Sequence, residues 1–180
     1  MLAKRYGTTI AHLARLNHLD PARSLIIGTR LRVPAAPKRV THTQPIAFRS
    51  QSIAYVRTLL DHWARQYGVS VHLVRAVAWM ESGYNNSVVS PDGAHGIMQL
   101  LPSTWRYVEE VLVGHKVRHD SAGNVHVGVA YLSHLLRDFH GNLRLALAAW
   151  YQGEGAVRQD GVFKVSRHFV ADVLALEQRV

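Results

Sequence analysis

The chain has 180 residues, 48% hydrophobic and 18% charged, with 21 Lys and Arg, 12 Asp and Glu and a formal net charge of +9. That much apolar material excludes wholesale disorder, and the longest apolar stretches, such as 145–151, fall far short of the ~20 residues of a membrane span. The absence of Cys excludes a disulfide framework, a thiolate metal site and a thiol nucleophile.

The charge is unevenly spread. Residues 1–50 carry nine basic residues and one acid, Asp20; residues 51–180 carry twelve and eleven. A basic front end on a near-neutral body indicates two units with different partners. Nucleic acid, an anionic membrane and an anionic cell-wall polymer are candidates for the first, and a solvated basic face is the plain alternative. The start lacks the apolar stretch and small-residue cleavage site of a secretory signal.

In chain order, Thr9 caps a short helix over 10–19, and Gly28 to Val33 reads as a turn and a short strand closed by Pro34. Residues 35–51, with Pro37 and Pro45, read as a linker. After it the pattern is helical. Ser50 or Ser52 opens a helix closed by Gly68, and Ser70 caps 71–82, closed by Gly83. Residues 84–99 form a loop with a turn at Ser90 to Gly93. Ser103 or Thr104 opens a helix ended by Gly114, and Asn124 caps one ended by Gly141. Asn142 caps 143–152, ended by Gly153, and Ser166 caps the last. About six helices and no convincing sheet make the body all-α.

Within 71–82, Leu73, Val74, Val77 and Ala78 define the buried stripe, and Glu81 stands at its end. Desolvation favours the neutral form of such a carboxyl, the form that protonates a leaving glycosidic oxygen. The alternatives are a Glu paired with an Arg such as Arg75, or one that reaches solvent.

Three ordered segments narrow the choice: Glu81-Ser82-Gly83, then 90–102 with Gly96-Ile-Met-Gln99, then 148–157 with Trp150-Tyr151. Over roughly 52–178 they resemble the Slt-type lytic transglycosylases, a goose-type-lysozyme-like superfamily. The resemblance implies a lysozyme-like helical domain over 52–180 in which Glu81 is the catalytic acid/base. Ser82 would contact substrate or orient Glu81. Gly96, Met98 and Gln99 would line a saccharide cleft, with core packing the alternative for Met98. The third segment departs from the family's Ala-Tyr-Asn-x-Gly: Trp150 stands for Tyr and Tyr151 for Asn. An indole has only an N–H donor. Either Tyr151 supplies a hydroxyl to Glu81 from a neighbouring direction, or that contact is absent.

The resemblance implies cleavage of the bond between N-acetylmuramic acid and N-acetylglucosamine, closing a 1,6-anhydromuramyl ring with Glu81 as acid and then base. Asp92 and Glu154, the loop acids of these segments, read as a turn residue and a solvent-facing residue. Residues 1–34 resemble the second part of a LysM module, which binds N-acetylglucosamine polymers. The matching residues run from Ala3 to Asn17 and from Gly28 to Pro34. The first strand of that module is missing, so a truncated start is expected, which also accounts for the missing signal. The expected setting is secreted or envelope-associated, with peptidoglycan glycan strands as partner. No nucleic acid, membrane span, cofactor or metal is expected, and the chain is expected to be a monomer. His115 and His119 are four apart, but Gly114 ends the helix before them. The competing readings are a hydrolase that uses water, a catalytically inactive wall-binding protein, and a nucleic-acid binder carried only by the basic front end.

Overall fold

The computed structural model describes Asn17, Arg32 and residues 52–180. The expected helix after Thr9, the strand before Pro34 and the 35–51 linker lie outside the described residues. The Asn17 amide donates to the Arg32 carbonyl at 2.8 Å and accepts the Arg32 N–H at 2.6 Å, tying two points fifteen residues apart.

Ser52 opens the body: its hydroxyl accepts the Tyr55 N–H, and α1 (Ile53–Gln66) buries Val56, Leu60 and Ala64 on one face. Ser70 caps α2 (Val71–Ser82) through the Leu73 N–H, and Gly83, at φ +63°, ends it in the left-handed conformation. The Ser90 to Gly93 turn is present, closed by the Gly93 N–H donating to the Ser90 carbonyl at 3.0 Å.

The next helix starts earlier than Ser103 or Thr104. Pro102 is its first residue, where a missing N–H costs nothing, and α3 runs Pro102–Tyr107. It widens into a π-helical turn, Val108–Val113, ended by the Gly114 N–H donating to the Glu109 carbonyl at 2.9 Å.

Helix α4 (Ser121–Asp138) also begins earlier than expected. Asp120 caps it by accepting the Gly123 N–H at 2.9 Å. Asn124 lies inside the first turn, its side chain engaged elsewhere. Gly123 is required there, because a Cβ would lie 1.8 Å from the Arg118 carbonyl oxygen. Residues buried around its circumference, among them Val125, Val127, Val129, Leu132 and Leu135, make α4 the central helix.

Asn142 caps α5 (Leu143–Gln152), as expected. The sequence pattern does not reveal α6 (Glu154–Asp160), a single short run between Gly153 and Gly161. The Gln152 amide braces the connection to the last helix, donating to the Gly161 carbonyl and accepting the Phe163 N–H. Helix α7 (Lys164–Glu177) starts after Phe163, so Ser166 is a buried residue of its first turn and not its cap. Helix α4 packs on α1 and α5, α2 packs on α1 and α7, and α5 also packs on α6 and α7. The described residues are all-α, and none of their helices is long and apolar enough to cross a membrane.

One buried charge belongs to this frame. Glu109 is 4% exposed, and its carboxylate accepts from Lys116 Nζ and the Val117 N–H, each at 2.8 Å. The Lys116 bond first, then that N–H, hold its carboxyl at about 2, well below the usual carboxylate range. A depressed folded-state value means that the unfolded chain binds the proton more readily. The stabilisation is therefore complete above the ordinary carboxylate range and is lost as pH falls towards about 2. Melting curves across that acid range should show wild type losing its advantage over Glu109→Gln; a constant gap between the two contradicts the assignment.

Candidate active site

The cap at Ser70 fixes where α2 begins, and its buried stripe fixes which way it faces. Together they set Glu81 half-buried in the last turn. Arg75, one turn and a half earlier, does not serve as its ion-pair partner: it grips Asp61 through Nε at 2.8 Å and a terminal nitrogen at 2.6 Å. One partner of Glu81 comes from α5. Ala146, Leu147, Ala148 and Ala149 are buried, so the helix is fixed on the core side. Its next residue, Trp150, donates its indole N–H to Glu81 Oε1 at 2.8 Å. The contact expected to need Tyr151 or to be absent is thus made by Trp150 itself.

The loop after α2 is built onto that helix end. Ser82 Oγ donates to the Ile97 carbonyl at 2.7 Å and accepts the Asn85 N–H at 3.0 Å. Gly96 sits at φ +85° and Gln99 at φ +45°. The Gln99 amide donates to the Val88 and Gly96 carbonyls, both at 2.9 Å, which holds its left-handed backbone in place. Asn124 clamps the same loop from α4: its Oδ1 accepts the Met98 N–H at 2.8 Å and its Nδ2 donates to the His95 carbonyl at 2.9 Å. A Cβ on Gly96 would lie 2.3 Å from Asn124 Nδ2, and one on Gly128 would lie 2.4 Å from Met98 Sδ. Both glycines are gaps into which a neighbour fits.

The site thus joins a half-buried carboxyl, an N–H donor aimed at one of its oxygens and a rigid loop hydrogen-bonded to the same helix end. A family model for the transglycosylase SLT domain matches residues 58–166, more than half of the chain. The chain belongs to the transglycosylase SLT domain family.

A LysM domain model also matches residues 1–34. The soluble lytic murein transglycosylase of Salmonella typhimurium is 30% identical over 105 residues, covering 56% of this chain and 16% of that protein. The chain therefore spans about a sixth of that relative's length. Among solved structures, the lytic transglycosylase Slt of Pseudomonas aeruginosa, an inactive mutant, superposes with a TM-score of 0.62 at 28% identity, over 67% of this chain and 23% of that one. The 70-kDa soluble lytic transglycosylase of Escherichia coli gives 0.62 at 25% identity, with the same two shares.

Within this SLT domain the expected site residues divide. Glu81, Ser82, Gly96, Gln99 and Trp150 form one connected set through the bonds above. Met98 has no exposed surface and packs against Gly128, so its side chain fills the core beneath the loop and does not line a cleft. Tyr151 points elsewhere: it stacks on Phe169 with ring centroids 4.8 Å apart. Adjacent helix positions diverge by about 100°, so Trp150 and Tyr151 cannot share a direction. Glu154 is tied to Arg158 at 2.8 Å, and Asp92 is exposed in its turn. His119 stacks on Trp105 and His115 contacts the Val113 carbonyl.

Two features of the SLT domain are not legible in the sequence pattern alone. Asn124 resembles a helix cap because its amide chemistry suits both roles. The second is an aromatic row on α4. Tyr131 lies 5.6 Å from Trp150 and 6.5 Å from Tyr107, and the Tyr107 hydroxyl meets His134 Nε2 at 3.2 Å. Burial first, then the Glu154 charge, push the Tyr131 hydroxyl up to about 12, so it stays neutral. The rings of Tyr131 and His134, three apart and so on one face of α4, are the signal that could have found it. His134, Asp138 and Glu154 bring ligand-type atoms within 4.8 Å of one another, and Arg158 bridges the two carboxylates as their cation.

Proposed function

We propose that this chain is a lytic transglycosylase that cleaves the β-1,4 bond between N-acetylmuramic acid and N-acetylglucosamine in peptidoglycan. The observation that carries the reading is Glu81 at the end of α2, half-buried and bonded at 2.8 Å to Trp150, beside the loop held by Ser82 and Asn124. Membership of the SLT family and the names of its relatives support the substrate. Protonated Glu81 gives its proton to the glycosidic oxygen as the bond to the muramyl anomeric carbon breaks. The carboxylate then takes the proton of the muramyl 6-hydroxyl, whose oxygen bonds to the anomeric carbon. The product is a 1,6-anhydromuramyl end, and no water is consumed. Glu154 already neutralises Arg158, which argues against its serving as a second catalytic carboxylate.

On this reading Gly96 and Gln99 shape the saccharide cleft, and residues 1–34 add affinity for glycan as a LysM module joined by the 35–51 linker to the catalytic domain at 52–180. The excess of nine basic residues over one acid in 1–50 suits an anionic wall. The chain works as a monomer, because a single copy supplies every group the reaction uses, in a secreted or envelope setting and without nucleic acid. Mass spectrometry of fragments released from purified peptidoglycan tests the reaction. Anhydromuramyl ends are expected, lighter by one water than hydrolysed ends; reducing ends alone would make the protein a hydrolase.

A further inference from the structure

We infer that Tyr107 is a saccharide-binding residue: its half-exposed ring is a stacking platform for a pyranose unit of the glycan strand, away from the bond that Glu81 cleaves. The inference rests on the reading of the Glu81 site as a peptidoglycan site. A pyranose presents C–H groups on its faces and hydroxyls at its rim. Tyrosine matches both, with an apolar ring and a polar tip.

Two routes tie Tyr107 to the Glu81 site. The first is the row of rings. The Trp150 indole is bonded to Glu81 at 2.8 Å, Tyr131 lies 5.6 Å from Trp150, and Tyr107 lies 6.5 Å from Tyr131. Solvent access grows along the row: Trp150 and Tyr131 are partly buried, and Tyr107 is 37% exposed. The second route is the chain itself. Helix α3 begins at Pro102, three residues after Gln99 of the site loop, and Tyr107 is its last residue. The row that starts at Glu81 and the helix that leaves the site loop end on the same ring.

That ring is held in place. Its hydroxyl meets His134 Nε2 at 3.2 Å, and His134 lies between Asp138, at 3.7 Å, and Glu154, at 3.8 Å. The Tyr131 ring crosses it at 81° and the His134 ring at 55°, so neither lies flat on it and a face stays open to a ligand. Burial first, then the Glu154 and Asp138 charges, push the hydroxyl above the usual tyrosine value, so it stays neutral beside a sugar. A ring already fixed loses little freedom when a ligand settles on it.

The test compares Tyr107→Leu and Tyr107→Phe with wild type in steady-state kinetics on soluble peptidoglycan glycan strands. Leucine keeps apolar bulk but offers no flat face, so KM should rise about 3- to 10-fold while kcat stays within about twofold. Phenylalanine keeps the face and loses only the bond to His134, so its KM should stay within about twofold of wild type. Calorimetry with the same strands and Glu81→Gln, with and without Tyr107→Leu, should show the same loss as affinity where no bond is cleaved. An unchanged KM in Tyr107→Leu, an equal rise in Tyr107→Phe, or a loss confined to kcat overturns the platform. A wild type that releases no fragments overturns the reading of Glu81 as acid and base, and the calorimetric difference then decides the platform by itself. Should Tyr107→Leu fail to fold, the Tyr107 ring resonances of Glu81→Gln decide: they should move as strands are added, and resonances that stay in place overturn the inference.

Discussion

Glu81→Gln should reduce product release by about 10³-fold or more while leaving the fold intact. A single general acid or base contributes about 10² to 10⁴ in rate. Here one side chain fills both roles, so the loss should fall in the upper part of that range. The structural cost is small for a stated reason. A glutamine keeps an oxygen to accept the Trp150 indole N–H, now at 2.8 Å from Glu81 Oε1, and it fills the same volume. Its amide can neither give up a proton as an acid nor take one as a base. Rates measured on purified peptidoglycan beside melting curves separate the two effects. A variant that keeps a tenth of the activity, or melts well below wild type, contradicts the role assigned to Glu81.

Gly96→Ala carries the largest effect on the frame of the site. Alanine at φ +85° meets the left-handed penalty of about 1–2 kcal/mol. Its Cβ would also lie 2.3 Å from Asn124 Nδ2, and relief of such overpacking costs about 1–3 kcal/mol more. Asn124 has little room to yield, because it holds the Met98 N–H and the His95 carbonyl. The expected result is a loss of about 3–4 kcal/mol, read from denaturant unfolding, with activity falling further than stability explains. Asn124→Ala alone should cost about 1–3 kcal/mol by stranding those two backbone groups. The double variant tests the mechanism most sharply. Removing the Asn124 side chain also removes the clash, so the two losses should sum to more than the double variant shows. Additive losses would mean that the Gly96 gap is not kept for Asn124.

Much of this site is legible in the sequence where local chemistry decides local structure. Ser70 and Gly83 bracket α2, and Asn142 and Gly153 bracket α5, so the two helices that carry Glu81 and Trp150 are placed to the residue. The illegible part depends on partners far along the chain. Asn124 looks like a cap, yet Asp120 takes that role and frees Asn124 to hold a loop whose Met98 lies 26 residues earlier. Trp150 reads as the loss of a hydroxyl contact, because nothing in the local pattern of α5 shows that Glu81, 69 residues away, faces its indole. Met98 follows the same logic. Its motif position suggests a cleft wall, while the absence of a side chain at Gly128 draws it into the core. The π-helical turn at Val108–Val113 is hidden for a different reason: over six residues its period is too close to that of an α-helix to leave a pattern.

The most direct test of the one-carboxylate mechanism is digestion of purified peptidoglycan in water enriched in ¹⁸O, followed by mass spectrometry of the muramyl ends. The mechanism through Glu81 and the 6-hydroxyl predicts anhydromuramyl ends that carry no ¹⁸O, because no water oxygen enters the bond. Muramyl ends carrying one ¹⁸O would show that water attacks the anomeric carbon, and that Glu81 works with a base other than itself.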